Sequence, residues 1–286
     1  MADLGLGTAP LAGLYAPVAE DVAHAVVERA WELGVRYFDT APYYGSGDAE
    51  RRLGAVLAAK PRAEFTVSTK VGRLLRPDAS GWEGSYFDFS YDAALRSLDQ
   101  SLERLGLDRV DIALVHDPDD RYEEALAGAF RALERLRAEG VVQAIGVGMN
   151  QTALLCRFAR EADPDVFLVA GRYTLLDRSA ADDLLPLCVD RDIAVVAGGV
   201  FNSGVLAGGD TFDYEAASPE MLARAADLRE TCARFDVPLP AAALQFPLRH
   251  PAVETVLVGC RTTDEVTEDV ALFELDLPQP LWDELA

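Results

Sequence analysis

The sequence predicts an α/β fold in which eight parallel strands close into a (β/α)8, or TIM, barrel. Short, almost continuously apolar runs alternate about eight times with amphipathic helical patterns. This alternation is typical of a parallel sheet that is covered by helices. The length of 286 residues suits one such barrel, because these barrels usually have ~250 residues. No linker or change in composition interrupts the chain, so we predict a single domain over residues 1–286.

The first half of the chain contains four predicted strands and four predicted helices. Apolar runs predict strands at 4–9, 35–38, 65–70 and 110–115. Apolar residues at helical spacing predict helices at 22–33, 48–59, 91–105 and 122–136. Ser90 is a suitable N-cap for the third helix, and glycines at 34, 106 and 140 are suitable helix ends. Residues 71–89 are predicted to form a long loop, and such loops are often functional. This loop contains Arg73, Arg76, Trp82, Tyr86 and Phe87.

The second half repeats the pattern with four more strands. Apolar runs predict strands at 141–147, 166–170, 193–197 and 255–258. Helical spacing predicts helices at 150–160, 180–189, 219–235, 240–249 and 262–272. A glycine-rich loop is predicted from Gly198 to Gly209.

An open, doubly wound sheet is the alternative fold. It would place a Gly-x-Gly-x-x-Gly motif after the first strand, and this motif is missing here. The barrel is therefore favoured. In a barrel of this kind the active site lies at the C-terminal ends of the strands.

Composition and charge exclude several classes of partner. The chain has 48 acidic and 26 basic residues, a net charge of −22, which argues against nucleic acid and anionic membranes. The longest apolar run, 193–201, is far shorter than the ~20 residues of a membrane span. The N-terminus has no basic region before an apolar stretch, so we expect no signal peptide. The four cysteines form no Cys-x-x-Cys pair, so reduced thiols and a cytoplasmic location are expected.

Four polar side chains mark the candidate active site. Asp39, Lys70 and His116 end three successive predicted strands, and Tyr44 follows Asp39 after a proline turn. A carboxylate at the end of a buried strand is costly unless it is paired, and Lys70 is the predicted partner. If the strands are parallel neighbours, all four groups converge at one end of the barrel.

Each of these residues also has an ordinary structural interpretation when it is taken alone. Asp39 could be a turn residue, Tyr44 an aromatic at the rim, and Lys70 a solvated strand end. His116 could be a satisfied histidine beside Asp117. A metal-dependent hydrolase using Asp39 and His116 is a further alternative. It would need a ligand cluster such as His-x-His, and the three histidines are isolated, so no metal is expected. The order of the four candidate residues, at or just after successive strand ends, favours a catalytic set.

Three motifs carry a resemblance to the aldo-keto reductase superfamily. They are Phe38-Asp39-Thr40-Ala41 with Tyr44-Gly45, Ser68-Thr69-Lys70, and Leu114-Val115-His116. The resemblance extends over nearly the whole chain. The segments 116–120, 146–151 and 171–177 resemble the D-threo-aldose 1-dehydrogenase group, also called L-fucose dehydrogenases. Pyridoxal 4-dehydrogenases resemble this group as well.

The resemblance implies an NAD(P)-dependent oxidoreductase that moves a hydride between the nicotinamide and an aldose hemiacetal carbon or an aldehyde. Tyr44 would be the general acid or base, and oxidation of a sugar would give a lactone. Lys70 would stabilise the Tyr44 phenolate, Asp39 would hold Lys70, and His116 would orient the substrate oxygen. The alternatives are a pyridoxal 4-dehydrogenase, a general aldehyde reductase, or a non-catalytic nucleotide-sensing barrel. The expected partner is a small sugar or aldehyde, and the expected assembly is a monomer or small homo-oligomer.

The resemblance also implies a set of cofactor contacts, with Asn150 on the nicotinamide carboxamide. The implied contacts are Asn150, Gly199, Asn202, Gly204, Leu206, Gly259, Arg261, Glu265 and Asp269. Two positions depart from the family pattern, since Ala170 replaces a common glutamine and Gly198 replaces an aromatic residue. Glu265 stands where other members place a cation, so NAD is expected to be preferred, with NADP possible. Thr262-x-x-Glu265 also fits a capping box, which is the structural alternative for Glu265.

Overall fold

A closed barrel of eight parallel strands forms the centre of the computed structural model, which describes residues 3–285. The barrel strands are β1 (Asp3–Gly7), β2 (Tyr37–Asp39), β3 (Thr66–Val71), β6 (Ile112–His116), β7 (Ala144–Met149), β8 (Val166–Ala170), β9 (Ala194–Gly198) and β12 (Val253–Val258). Each strand pairs with the next barrel strand along the chain, and β12 closes the ring on β1. The predicted barrel is confirmed. The expectation of no signal peptide concerns Met1 and Ala2, which lie outside the described residues.

Helices follow the strands and cover the outside of the barrel. They are α1 (Glu20–Glu32), α2 (Asp48–Leu57), α3 (Tyr91–Leu105), α4 (Tyr122–Ala125), α5 (Arg131–Ala138), α6 (Thr152–Glu161), α7 (Leu184–Arg191), α8 (Pro219–Ala233), α9 (Leu239–Gln245), α10 (Thr263–Phe273) and α11 (Gln279–Leu285). One turn of π-helix, Leu126–Phe130, joins α4 to α5. The predicted helix at 122–136 is therefore one helical segment with a π turn inside it. No helix in the described range is long and apolar enough to cross a membrane.

Two apolar layers hold the barrel together. The main core lies between the strands and the helices, and a smaller cluster fills the barrel interior. The interior cluster consists of Tyr37, Leu114, Val166, Leu168, Val196 and Leu257. Because side chains alternate between the two faces of a strand, every second residue faces the barrel interior and the residues between them face the helices. This alternation decides which polar residues reach the mouth of the barrel.

The structure corrects the prediction of a long loop at 71–89. This segment forms an antiparallel hairpin of β4 (Arg73–Ser80) and β5 (Glu83–Phe87). Apolar and polar residues do not alternate clearly in this segment, because much of the hairpin is exposed. A second small hairpin, β10 (Thr211–Phe212) with β11 (Glu215–Ala216), follows the glycine-rich loop after β9. The helix α11 was also missed.

Candidate active site

Strand parity directs three polar side chains into the C-terminal mouth of the barrel. Tyr37 and Leu114 belong to the interior cluster, and residues two positions farther along a strand share its face. Asp39 follows Tyr37 on β2, and His116 follows Leu114 on β6. Lys70 shares this orientation, because the next residue along β3 belongs to the main core on the opposite face of the strand. The predicted convergence of these side chains is therefore a consequence of two-residue periodicity in adjacent strands.

The Lys70 ammonium group connects the other members of the set. Its Nζ donates to Asp39 Oδ2 at 2.7 Å and to the Thr40 carbonyl oxygen at 2.9 Å. A third bond, of 3.0 Å, goes to the hydroxyl oxygen of Tyr44. The Lys70 side chain is only 2% exposed, and Asp39 Oδ1 accepts a further hydrogen bond of 2.7 Å from Ser68 Oγ. The buried ion pair is thus well supplied with hydrogen bonds, as burial of two charges requires.

This hydrogen-bond arrangement leaves the Tyr44 proton available. An ammonium group has three donors and no acceptor, and all three donors of Lys70 are in use. The Tyr44 oxygen therefore accepts from Lys70 and directs its own proton to a different acceptor. This is the geometry that a general acid needs, and its deprotonated form is a general base that faces a cation.

The turn between Asp39 and Tyr44 depends on a glycine. Gly45 has φ +60°, and a Cβ atom there would lie 2.6 Å from Cβ of Ala12. A side chain at 45 would therefore force apart the turn and the segment after β1. The backbone N–H of Tyr44 donates to the Ala41 carbonyl at 3.1 Å, which closes the turn. The motif Tyr44-Gly45 thus has a local structural cause.

His116 is buried beside Tyr44 and Asp117. Its ring meets the Tyr44 ring edge to face, with centroids 5.9 Å apart. Its Nε2 lies 3.5 Å from Asp117 Oδ2, whereas its Nδ1 is buried and has no hydrogen-bond partner among the described residues. A buried N–H without an acceptor is unfavourable, so the proton of the neutral ring belongs on Nε2.

Burial and neighbouring charges set the protonation states of the site. Burial lowers the pKa of His116 well below its usual value, and the positive charges of Lys70 and Arg73 lower it further. Burial also lowers the pKa of Lys70, but Asp39 and Tyr44 outweigh burial and raise it overall. The pKa of Tyr44 is raised, because the effect of burial exceeds the lowering by Lys70. The site therefore holds a neutral histidine, a charged lysine and a protonated tyrosine.

The predicted cofactor residues near the barrel axis lie on loops after β7 and β9. Asn150 follows β7 directly, is half-buried and precedes α6, whose N-cap is Gln151. Asn202 is buried, and its Oδ1 accepts a hydrogen bond of 2.6 Å from Thr174. Gly199 and Gly204 have left-handed backbones, and Leu206 is buried in a third apolar cluster, separate from the main core and the interior cluster. The hydrogen bond of Asn202 and the packing of Leu206 therefore position this loop. Contacts of the loop with a cofactor remain a prediction.

The remaining predicted cofactor residues cluster at the start of α10. A Cβ atom at Gly259 would lie 2.6 Å from Cγ of Pro10. Glu265 accepts from the Arg261 backbone N–H at 2.6 Å and from its guanidinium at 2.9 Å. Asp269 Oδ2 accepts a weak bond of 3.4 Å from Cys260, and burial raises the pKa of Asp269 to about 6. The charge of Arg261 is therefore already paired in this structure.

The β4–β5 hairpin brings two further side chains to the mouth of the barrel. The Arg73 guanidinium lies 3.4 Å from the centre of the Tyr43 ring and forms an ion pair of 3.1 Å with Asp117. Trp82 lies beside Tyr44, with ring centroids 6.0 Å apart, and its Nε1 donates to Ala12. Arg73 and Trp82 were predicted to lie in a loop, and no role was predicted for either side chain. Gly81, which lies in the turn between β4 and β5, could have indicated a hairpin in this segment.

The residues at the mouth fit a nicotinamide nucleotide better than a metal ion. Within residues 3–285, no group of three histidine, cysteine, aspartate or glutamate side chains could hold a metal. The Asn150 amide can both donate and accept, as recognition of a carboxamide requires. It directly follows β7, the strand that pairs with the His116 strand.

Comparison with known proteins agrees with this geometry. Residues 3–286 match the sequence model of the Aldo/keto reductase family. The chain is 44% identical to the D-threo-aldose 1-dehydrogenase of a Pseudomonas species, over 99% of this chain and 92% of the relative. It is also 44% identical to the pyridoxal 4-dehydrogenase of Microbacterium luteolum, over 98% of this chain and 91% of the relative.

A solved structure supports the same relationship. An aldo-keto reductase from Bacillus halodurans superimposes with a TM-score of 0.84 at 26% identity. The match covers 99% of this chain and 92% of that structure. Enzymes of this family use nicotinamide cofactors. The chain is thus an oxidoreductase, and it belongs to the aldo/keto reductase family.

Proposed function

We propose that the protein oxidises an aldose at its hemiacetal carbon to a lactone, with Tyr44 as the general base and NAD as the preferred acceptor. The observation that carries the proposal is the Lys70 ammonium group, which bonds at once to Asp39 and to the Tyr44 hydroxyl. A free tyrosine, with a pKa of about 10, is a poor base at neutral pH. A cation within hydrogen-bond distance stabilises its phenolate.

The chain's own side chains divide the work of proton transfer and positioning. Tyr44 as phenolate removes the proton from the anomeric hydroxyl. Lys70 stabilises the phenolate before this proton transfer. His116 donates from Nε2 to the same oxygen and orients it. The bound nicotinamide supplies the acceptor for the hydride that leaves the anomeric carbon. In the reverse direction Tyr44 returns its proton to the carbonyl oxygen.

The relatives support a sugar substrate and leave pyridoxal as a second candidate. An L-galactose dehydrogenase of Arabidopsis thaliana is 34% identical over 94% of this chain, so two sugar dehydrogenases stand among the relatives. The aromatic side chains of Tyr43 and Trp82, which meet edge to face at 5.1 Å, favour the pyridoxal alternative. A flat pyridine ring would pack well against them.

A substrate panel separates these activities. L-fucose, L-galactose, D-arabinose, L-xylose and pyridoxal are each incubated with NAD and with NADP, and cofactor reduction is followed by absorbance. Turnover of at least one aldose, faster than that of pyridoxal, supports the proposal. Turnover of pyridoxal alone establishes the alternative, and turnover of neither contradicts both.

We expect NAD to be preferred over NADP. A 2′-phosphate adds roughly −1.5 to −2 charges at neutral pH, and it is usually met by arginine or lysine. Here the Glu265 carboxylate pairs with the Arg261 guanidinium through one hydrogen bond and accepts a second from the Arg261 backbone N–H. Glu265→Arg is expected to move the ratio of kcat/KM for the two cofactors toward NADP by about 10-fold, the effect of one charged hydrogen bond.

The control for this substitution is Glu268→Arg, an exposed position on the same helix α10. It changes the net charge equally but leaves the Arg261–Glu265 pair intact. A wild-type enzyme that works better with NADP contradicts the prediction. The prediction is also contradicted if both variants change the ratio of kcat/KM for the two cofactors equally, because a general charge effect would then explain the change.

A further inference from the structure

Asp117 departs from the regular alternation of its strand. It follows His116 at the end of β6 and has φ +46°, a left-handed conformation that is uncommon outside glycine but tolerated by aspartate. Its N–H donates to the Gly148 carbonyl at 3.1 Å, which holds the backbone to β7. In a regular strand, successive side chains point to opposite faces. Here the turn brings the carboxylate back to 3.5 Å from His116 Nε2.

The β4–β5 hairpin fixes the same carboxylate from the other side. Arg73 Nη1 bonds to Asp117 Oδ2 at 3.1 Å. The Arg73 guanidinium also stacks on Tyr43 at 3.4 Å and lies 4.9 Å from the centre of the Phe87 ring. Only 17% of the Arg73 side chain is exposed. Its position is therefore determined by packing, and it in turn determines where the carboxylate lies.

One oxygen of this carboxylate remains free for a ligand. The contacts of the carboxylate with Arg73 and with His116 both involve Oδ2. Among the described residues, Oδ1 has no hydrogen-bond partner, and 31% of the side chain is exposed. Beside it, His116 presents its Nε2–H. The mouth of the barrel thus offers the His116 Nε2–H donor next to a carboxylate whose other oxygen, Oδ2, lies 3.5 Å from that nitrogen.

We propose that Asp117 is a specificity-determining residue that accepts a hydrogen bond from the hydroxyl on the carbon next to the reacting carbon, and that Arg73 is its positioning residue. This inference rests on the proposed oxidation of an aldose. The anomeric oxygen accepts from His116, and the neighbouring hydroxyl donates to Asp117. Oxygens on adjacent carbons match a donor and an acceptor that are side by side. The substrate class is therefore a 2-hydroxy aldehyde in its hemiacetal form.

A purely structural ion pair is the competing explanation, in which Arg73 and Asp117 only fasten the hairpin to the barrel. The two explanations differ for a substrate that lacks the hydroxyl. A site built to bind a hydroxyl discriminates against the analogue without it, whereas a fastening contact affects all substrates alike. The readout is therefore a ratio of kcat/KM values for two matched sugars.

The test compares D-arabinose with 2-deoxy-D-ribose, which differ only in the hydroxyl at C2, and L-fucose with its 2-deoxy form. Asp117→Ala is expected to lower the ratio of kcat/KM for the hydroxylated over the deoxygenated sugar by about 10–100-fold, the effect of one hydrogen bond to a charged group. Intrinsic differences between the sugars are the same for every variant, so the change in the ratio isolates the contact. Arg73→Met is expected to lower the ratio by less, because the carboxylate remains but is no longer held.

Two further variants keep the result interpretable. Asp117→Asn preserves size and one acceptor oxygen, so it is expected to fold and to lower the ratio by less than Asp117→Ala. Asp120→Ala removes an exposed carboxylate of the same loop and is expected to leave the ratio unchanged. Thermal unfolding and NAD binding are measured for each variant.

The outcomes distinguish failure of the inference from failure of the proposed function. If Asp117→Ala and Asp117→Asn lower turnover of both sugars equally, the pair is structural and the inference is wrong. If the wild-type enzyme oxidises the sugars but no variant changes the ratio, the inference is again wrong while the proposed function stands. If the wild-type enzyme oxidises no aldose, neither in these pairs nor in the substrate panel, both are overturned.

Discussion

Tyr44→Phe is expected to lower kcat for aldose oxidation by at least about 10²–10⁴-fold, the usual contribution of a general acid or base. The substitution removes one oxygen atom and keeps the ring that packs edge to face against His116. Lys70 loses one of its three acceptors but retains Asp39 and the Thr40 carbonyl. The fold and the binding of NAD should therefore survive. The measurements are kcat from cofactor reduction and the Kd of NAD from fluorescence titration.

The matched control is Tyr91→Phe on α3, whose hydroxyl contacts Arg135 on the outside of the barrel. It also removes one phenolic oxygen and should leave kcat unchanged. Turnover close to wild type in Tyr44→Phe would remove Tyr44 from the mechanism. A loss of NAD binding in the same variant would show that the hydroxyl has a role in binding instead.

The barrel was predictable because its signals are repeated and local. Each strand is a short apolar run, and each helix has an apolar stripe, so a misplaced end does not change the order of elements. The predicted strand at 35–38 begins before β2, which is only Tyr37–Asp39. The residue that matters, Asp39, still falls at its C-terminal end. Errors of this size are usual at element ends and do not affect the site.

The convergence of Asp39, Lys70 and His116 could also be expected from the sequence, because parallel neighbouring strands end on one side of the barrel. Lysine at position 70 is itself a signal. Twenty-four of the 26 basic residues are arginine, and only Lys60 and Lys70 are not. A compact ammonium group can meet three acceptors in a narrow space, which a planar guanidinium cannot do in the same way.

The rest of the mouth depends on contacts between distant segments and on backbone angles that no periodicity encodes. The hairpin that carries Arg73 is largely exposed, so no apolar pattern predicts it. The left-handed conformation of Asp117 decides where its carboxylate points. The capping box at Thr262 is confirmed in one half only. The Thr262 hydroxyl accepts from the Glu265 N–H at 3.1 Å, but the Glu265 carboxylate bonds to Arg261.

Lys70→Met is expected to slow oxidation and to move the rising limb of its pH–rate profile to higher pH. Oxidation requires the Tyr44 phenolate, so the rate rises with pH as Tyr44 loses its proton. Burial raises the pKa of Tyr44, and Lys70 offsets part of this effect. Removing the cation therefore raises the pKa of Tyr44 further. The rising limb should therefore lie at higher pH in the variant than in the wild-type enzyme, because an opposite charge beside an acid favours its ionised form.

The substitution also leaves Asp39 as an unpaired buried carboxylate, which alone can destabilise a protein by about 3–5 kcal/mol. The double variant Asp39→Asn with Lys70→Met removes both charges and separates lost catalysis from lost stability. Lys60→Met, which breaks a pair with Glu28 on the outside of the barrel, is the control for the loss of a lysine. The log of kcat/KM is measured against pH for all three variants. A limb that stays at the wild-type pH in Lys70→Met, while the protein remains folded by thermal unfolding, would show that Lys70 does not stabilise the phenolate.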